Sequence, residues 1–318
     1  MVMENESERM EMSSVDLVNF YLEKTLRPNI LHSDIAHLLK YLYYSKIRFD
    51  TKNWYSFNQL TRHWVITDED HCPLIDIMRN ELVNLYLTLA TNYNSKVREK
   101  TKLLSNMKFE DMQQEYLPLT INDLIYKSKL CSEMCLNLSS ESYYQKVLIS
   151  AQSMFTHKNF LITMDQKPEL LAFDNGIYNL DQKLHQSAEY HHKCLMSTGY
   201  DYVDTSMDTS TDSSAEILEF FRKINLESLL PIIASLLHGN RRQPLIWVKN
   251  LDEKSMHSLN QLLQWTLGDY VGNLNFAFLH KRKINSSPHS DLIEHCKRRI
   301  LIVQQVPDDF PDVNNVII

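Results

Sequence analysis

Apolar residues recur at helical spacing through most of the first half of the chain. Val15, Leu17, Val18, Tyr21 and Leu22 follow Ser13–Ser14 and predict a first amphipathic helix. Ile35, Leu38, Leu39, Leu42 and Tyr43 predict a second, with Ser33 as its expected cap. A long helix is expected from Pro73, a favoured first helical residue, with Leu74, Ile77, Met78, Leu82, Leu85 and Leu89 on one face. Two more are expected around Ile121–Leu136 and Tyr143–Phe155. Between the second and third helices the pattern changes. Phe49, Trp54, Tyr55, Phe57, Trp64, Val65 and Ile66 are aromatic or β-branched and flank a polar stretch, which predicts a hairpin.

Beyond Phe160 the texture becomes short strands and turns. Asn175–Gly176, set between Leu170–Phe173 and Ile177–Leu180, reads as a tight hairpin turn. Helices resume at Ala215–Ile224 and Leu226–Leu237, and strand and helix then alternate. The expected order is strand 245–248, helix 254–267, strand near 274–278, helix near 290–296 and strand 300–303, an α/β pattern. The predicted class is therefore a helix-rich α+β region followed by a partial α/β, P-loop-like domain. The expected divisions are a disordered tail at 1–14, a first domain at 15–203, a polar acidic linker at 204–214 and a last domain at 215–318.

Composition narrows the function classes. In 318 residues the net charge is −7, so any nucleic-acid contact needs a local basic patch rather than a whole-protein field. Five cysteines, an odd number sparsely spaced, fit a reducing compartment with free thiols. Cys131 and Cys135 are four apart but lack the partners a zinc site needs. No secretory pattern opens the chain, and Leu229–Leu237 is too short an apolar run to span a bilayer. A soluble intracellular protein without membrane association is expected. Thirteen histidines invite metal readings, and His191–His192 beside Cys194 is the densest group. At strand spacing those two rings would face opposite ways, so no metal site is assigned.

The stretch 170–202 contains the pattern F-x-N-G-x-Y-x-L followed by S-T-G-Y-D-Y. It resembles the amino-terminal accessory domain of poxvirus-type primase-helicases, which precedes superfamily III helicase cores in large DNA viruses and some phages. The aromatic stretch Lys52–Val65 resembles the hairpin of the same domain. The segments IASLLHGNRRQPLIW and LLQWTLGDYVGNL resemble the entry into the ATPase part, so the resemblance runs from about Ile35 to Val306. Its marked residues are Trp54, Phe57, His63, Trp64, Asn175, Gly176, Gly199 and Tyr200. Turn chemistry and core packing alone account for these residues, and His63 is expected to be a hydrogen-bonded structural histidine.

The same resemblance aligns IWVKNLDEKSMHSLNQLL with the phosphate-binding loop, and here the chain departs from the pattern. Lys254 and Ser255 stand where the lysine and hydroxyl belong. Val248 holds the first glycine position and Glu253 the last. Only five glycines occur in the chain, none of them clustered. Valine is stiff and strongly disfavoured at positive φ. Asp252 and Glu253 put negative charge beside the phosphate position, at roughly 4 kcal/mol per like-charge pair at ~4 Å and an effective dielectric near 20. A plain helix start, with acidic residues matching the dipole, accounts for the same text. The strand at 300–303 is followed by Gln304 and Gln305 where paired acids would hold Mg²⁺. Asp308 and Asp309 lie beyond Pro307.

The resemblance and its departures imply a non-catalytic viral replication accessory protein with no resident cofactor. Its expected partners are DNA, a replicative helicase or another viral replication protein, in the host cytoplasm (a virus factory) or nucleus. Two alternatives stand beside it. One is a divergent NTPase or helicase subunit using ATP and Mg²⁺ through Lys254 and Ser255. The other is a scaffold protein of the factory or particle. The candidate nucleic-acid contacts are Lys281, Arg282 and Lys283, and Lys297, Arg298 and Arg299. For either triplet alone a solvated charged surface is the slightly better account.

Overall fold

In the computed structural model the described residues are 14–67, 72–106, 117–204, 212–237, 246–248, 252–275, 295, 297–304 and 315–317. They form a mixed helical fold with small sheets, an α+β architecture. By internal contacts the chain divides into Met1–Ser56 with Ile66–Asn159, and Phe57–Val65 with Phe160–Ile318.

In the first unit α1 spans Ser14–Lys24 and α2 spans His32–Tyr43. The turn between them passes through Asn29 at φ 59°, a backbone state Asn tolerates well. Ser33 does not cap α2, because the helix already begins at His32. The N-cap is Leu31, and Asp34 in the first turn reaches back to it: its carboxylate accepts the Leu31 N–H at 3.0 Å and the Arg27 guanidinium at 2.6 Å. Strand β1 (Ile47–Phe49) pairs antiparallel with β2 (Trp54–Phe57), and β3 (Trp64–Thr67) completes a sheet of order β1-β2-β3. The turn from β1 to β2 is closed by Asp50, whose Oδ1 accepts the amides of Lys52 and Asn53 at 2.9 and 2.7 Å. One additional strand thus joins the expected hairpin.

The helix expected from Pro73 forms in three parts. It comprises α3 (Pro73–Asp76), a π-helical segment Ile77–Leu82 and α4 (Val83–Asn106). A π segment inserts a wider turn, a feature that apolar spacing does not report. The long helix α5 (Leu117–Ser139) and α6 (Glu141–Phe155) follow. Cys131, Met134 and Leu138 on α5, and Val147, Leu148, Ala151 and Phe155 on α6, share one core with Leu22, Ile35, Leu39, Trp54, Met78 and Tyr86. Tyr86 is fully buried, and its hydroxyl is satisfied by Thr25 Oγ1 at 2.5 Å.

The second unit holds the short helix α7 (Phe160–Thr163) and a sheet of order β4-β5-β6, formed by Leu170–Phe173, Gly176–Asn179 and Leu184–Gln186. The pairing of Phe173 with Gly176 puts Asp174 and Asn175 at the turn, one residue earlier than expected, and neither has positive φ. Gly176 is a strand residue. A Cβ there would come within 2.5 Å of the Gln186 carbonyl, so close strand approach is what needs glycine. Helices α8 (Asp212–Lys223) and α9 (Leu229–Leu237) precede β7 (Ile246–Val248), α10 (Glu253–Leu267), β8 (Val271–Asn275), β9 (Ile300–Gln304) and β10 (Asn315–Ile317). The last sheet has the order β7-β10-β9-β8. Strand β8 is parallel to β9, and β10 is antiparallel to both β7 and β9, so β7, β8 and β9 run the same way. Parallel strands need crossover connections, and α10 is the one between β7 and β8. Among the described residues no helix is long and apolar enough to cross a membrane.

Candidate functional site

Three of the stretches that carried the resemblance converge in the second unit. Thr198 N–H donates to Ala172 O at 3.0 Å and Asp174 N–H to Tyr200 O at 3.0 Å, laying the S-T-G-Y-D-Y segment along the turn after β4. Asn175 clamps that segment from its side chain: Nδ2 donates to Tyr202 O and Oδ1 accepts Tyr202 N–H, both at 2.9 Å. Phe173 meets the rings of Tyr200 and Tyr202 edge-on at 5.5 and 5.3 Å. Gly199 has φ 82°, and Tyr200 donates its hydroxyl to Thr266 O at the end of α10.

The third stretch, around Gly268–Tyr270, locks the same seam. Asp269 exchanges two hydrogen bonds with Ser197, N–H to Ser197 O at 2.9 Å and Oδ2 from Ser197 N–H at 3.1 Å. Buried Tyr270 accepts Ala172 N–H at 2.9 Å and donates to Met196 O at 3.3 Å, and burial raises its pKa. Gly268 ends α10 at φ 52°, where a Cβ would meet the carbonyls of Thr198 and, at 2.6 Å, Ser197. Gly268→Ala is therefore expected to cost roughly 1–3 kcal/mol, because backbone must move on one side and strain appears on the other. Urea unfolding measures it, and an unchanged midpoint contradicts it.

The aligned phosphate-loop residues sit at the start of α10. Lys254 is exposed, Ser255 is half-buried, and the preceding residues 249–251 lie outside the described residues. Asp252 is the N-cap, and its Oδ2 accepts the Ser255 N–H at 3.0 Å. The hydrogen bonds from the Ser255 side chain and backbone hold its carboxyl below the usual range. The apolar face of α10, with Met256, Leu259, Leu263 and Leu267, is buried. Gln304 ends β9, while Gln305, Asp308 and Asp309 lie outside the described residues.

The second basic triplet follows directly before β9, and each member donates to backbone carbonyls. Lys297 Nζ reaches the carbonyls of Leu161 and, at 2.8 Å, Met164, at the end of α7. Arg298 Nη1 donates to Asp269 O and Val271 O, both at 2.7 Å. Arg299 donates to Leu237 O and, at 2.5 Å, to Leu170 O, with its guanidinium 4.8 Å from the Tyr270 ring centre. Burial lowers the Arg299 pKa against the favourable Tyr270 contact. Asp165 lies in the same region and accepts Leu195 and Met196 N–H at 2.8 and 3.2 Å. Burial raises its pKa, with Lys297 acting in the other direction. Lys281, Arg282 and Lys283 lie outside the described residues.

Of the marked aromatics, Trp54 belongs to the first unit's core, 1% exposed. Trp64 belongs to the second unit, with its indole N–H on Tyr190 O at 3.0 Å and its ring edge-on to Phe57 and Phe160. His63 Nδ1 is 2.7 Å from Thr61 O. His191 and His192 lie in a 3-10 turn, Tyr190–His192, rather than a strand, and their rings are 4.3 Å apart. His192 Nδ1 accepts the Glu189 N–H at 2.9 Å, and burial lowers its pKa. Among the described residues no cluster of three His, Cys, Asp or Glu side chains forms a metal cage. Cys194 is a buried thiol pushed up to about 12 by burial, and is thereby unreactive.

The local reading of the sequence did not mark Tyr270, Asp269 or Asp165. The signal for the first two was the G-D-Y after α10, whose glycine and aspartate suit a helix end that must return to a strand. No family model matches the chain. It is 24% identical over 269 residues to a protein of Acanthamoeba polyphaga mimivirus named "Putative helicase L207/L206", a match that covers 81% of this chain and 26% of that protein. The chain thus spans about a quarter of that relative's length. The similarity supports a distant relationship to a helicase-named protein of a large DNA virus.

Proposed function

We propose that the chain is a helicase-derived replication accessory protein of a large DNA virus that does not turn over ATP. It acts by binding DNA or a replication partner. In this reading residues 15–203 form the accessory domain and 215–318 a degenerate P-loop-like ATPase domain. The three co-directional strands with α10 as a crossover support the α/β assignment.

The observation that carries the reading is the Asp252 carboxylate on the first turn of α10. A nucleotide phosphate binds at a helix N-terminus through free N–H groups and the positive end of the dipole. Here an ionised side chain of this chain already takes the Ser255 amide. Val248 and Glu253 in place of glycines, and Gln304 and Gln305 in place of paired acids, point the same way.

The test is titration calorimetry with ATP and Mg²⁺ on the wild type and Lys254→Ala. No heat from either protein is the expected result. Micromolar binding lost in the variant overturns it and favours a divergent NTPase, for which exposed Lys254 beside Ser255 on the first turn of α10, the helix that follows β7, is the supporting observation. A scaffold role is distinguished by the absence both of salt-dependent binding to single-stranded, forked or duplex DNA and of a replication partner in a pull-down.

A pH prediction follows from the same cap. The folded-state pKa of Asp252 is lowered, so its stabilising effect is present above the ordinary carboxylate range and is lost as pH falls through the folded value. Thermal melts of wild type and Asp252→Asn should differ at neutral pH and converge in acid. Curves that stay parallel down to acid pH would contradict the capping role.

A further inference from the structure

The first unit holds a groove, between α1 and α2, that the resemblance does not mark. Its volume is about 650 Å³. Lys24, Arg27 and Lys40 line it together with the rings of Tyr21, Tyr41 and Tyr44. The other charged lining residue is Asp34, which takes the Arg27 guanidinium at 2.6 Å, with His37 beside it. Burial raises the Asp34 pKa, but the hydrogen bonds from Arg27 and Leu31 outweigh it and leave the carboxyl ionised. Among the described lining residues, Lys24, Arg27 and Lys40 stand with one carboxylate, that of Asp34.

The rings and cations are interleaved. Tyr21 and Tyr41 stack with centroids 3.7 Å apart and planes 28° from parallel, and Tyr41 keeps 41% of its surface exposed. Lys24 Nζ stands 4.3 Å over Phe20, itself an exposed ring, and 5.6 Å over Tyr21. Lys40 Nζ stands 5.2 Å over Tyr44, and the Arg48 guanidinium lies 3.7 Å from the same ring. Exposed aromatic faces alternating with cations are what single-stranded nucleic acid requires. Each unpaired base offers a π-face to stack, and each phosphate a charge to neutralise. In a duplex the base faces are already stacked on one another and are closed to Tyr41. The volume falls in the range of small-ligand sites and suits a nucleotide or two of a strand.

We propose that this groove binds single-stranded nucleic acid, one base stacking on the Tyr21–Tyr41 pair and adjacent phosphates lying against Lys24 and Lys40. The inference stands on the first unit alone and goes beyond the reading of α10.

Fluorescence anisotropy of the full chain with a labelled thymidine oligomer of about ten nucleotides tests it, within the strand lengths such sites cover. Tyr41→Ala should weaken binding roughly 5- to 100-fold, the range expected for one lost stacking platform, while Tyr41→Phe keeps the ring and the affinity. The double change Lys24→Gln with Lys40→Gln should reduce the slope of log K against log salt by roughly 1.4, about 0.7 per phosphate contact. Circular dichroism confirms that the exposed-site variants fold. Absence of binding by the wild type at low salt overturns the proposal, as does unchanged binding by both variant sets. Equal competition by thymidine monophosphate, or by a duplex of the same length, overturns its strand specificity. Binding that survives in the variants removes the groove and leaves the α10 reading intact. ATP binding through Lys254 removes that reading and leaves the groove.

Discussion

Trp54→Ala is expected to destabilise the first unit by roughly 3–5 kcal/mol, the cost of emptying a large aromatic site that cannot fully collapse. Trp54 is 1% exposed, and its ring meets Phe49 at 4.9 Å and Phe155 at 5.8 Å. The three rings tie β1, β2 and the end of α6 into one cluster, so the cavity would open between a sheet and a helix. Urea denaturation followed by far-ultraviolet circular dichroism measures the loss. Trp54→Phe should recover much of it, because a ring remains between the same neighbours. The same experiment separates packing from recognition. A tryptophan that served as a base-stacking platform would lose oligonucleotide affinity on truncation and keep its unfolding midpoint. The buried position predicts the reverse.

The second large effect is expected at Arg299. Its guanidinium serves the carbonyls of Leu237 and Leu170 and lies against the Tyr270 ring, joining the end of α9, the start of β4 and the entry to β8. Arg299→Ala leaves both carbonyls without this charged donor and removes the cation from the ring. A loss of roughly 2–4 kcal/mol is expected from the hydrogen bonds and the ring contact together. Arg299→Lys should restore only part of it, since one ammonium lacks the planar fork that reaches two carbonyls at once. A phosphate contact at Arg299 would show itself differently. Charge removal would then lower the salt dependence of DNA binding by about 0.7–0.9 in slope while leaving the melting temperature in place. A fall in melting temperature with an unchanged slope is the expected pattern.

Lys297 and Arg298 show why a basic triplet is hard to read along a chain. Three consecutive cations look like a surface for phosphate, yet here they donate to the carbonyls of Leu161, Met164, Asp269, Val271, Leu170 and Leu237. Those carbonyls lie tens of residues or more from the cations in sequence, so no local pattern announces them. The groove proposed for single strands had a fainter local trace. Tyr21 with Lys24, and Lys40 with Tyr44, sit three or four apart, the helical spacing that puts a ring and a cation on one face. What the spacing does not contain is the juxtaposition of two helices that turns separate faces into a groove.

Residues such as Leu22, Ile35, Leu39, Leu74, Met78 and Leu82 were legible as core. Their periodicity is dictated by the geometry of a helix that must bury one side. The strand at 170–173, the helix at 253–267 and the strands on either side of it at 246–248 and 300–304 were legible for a related reason, while the strand expected near 274–278 lies at 271–275 and the helix expected near 290–296 falls largely outside the described residues. Strand and helix impose different periods, and turn residues separate them. The absence of clustered glycines before Lys254, and the Gln304–Gln305 pair after the strand at 300–303, are likewise properties of the text alone.

Tertiary structure decided the rest. It shifted the hairpin turn to Asp174–Asn175, because the close approach of Gln186 claims Gly176 for the strand. It put Leu31 rather than Ser33 at the cap of α2, with the Leu31 amide held by the Asp34 carboxylate shared with Arg27. It also chose which carbonyls and rings receive Arg299, Tyr270 and Asn175. Periodicity is a property of neighbours along the chain, and the sequence alone suffices for it. The partner of a buried polar group is chosen by whatever unsatisfied donor or acceptor the fold brings within hydrogen-bond reach, and only the folded chain contains that information.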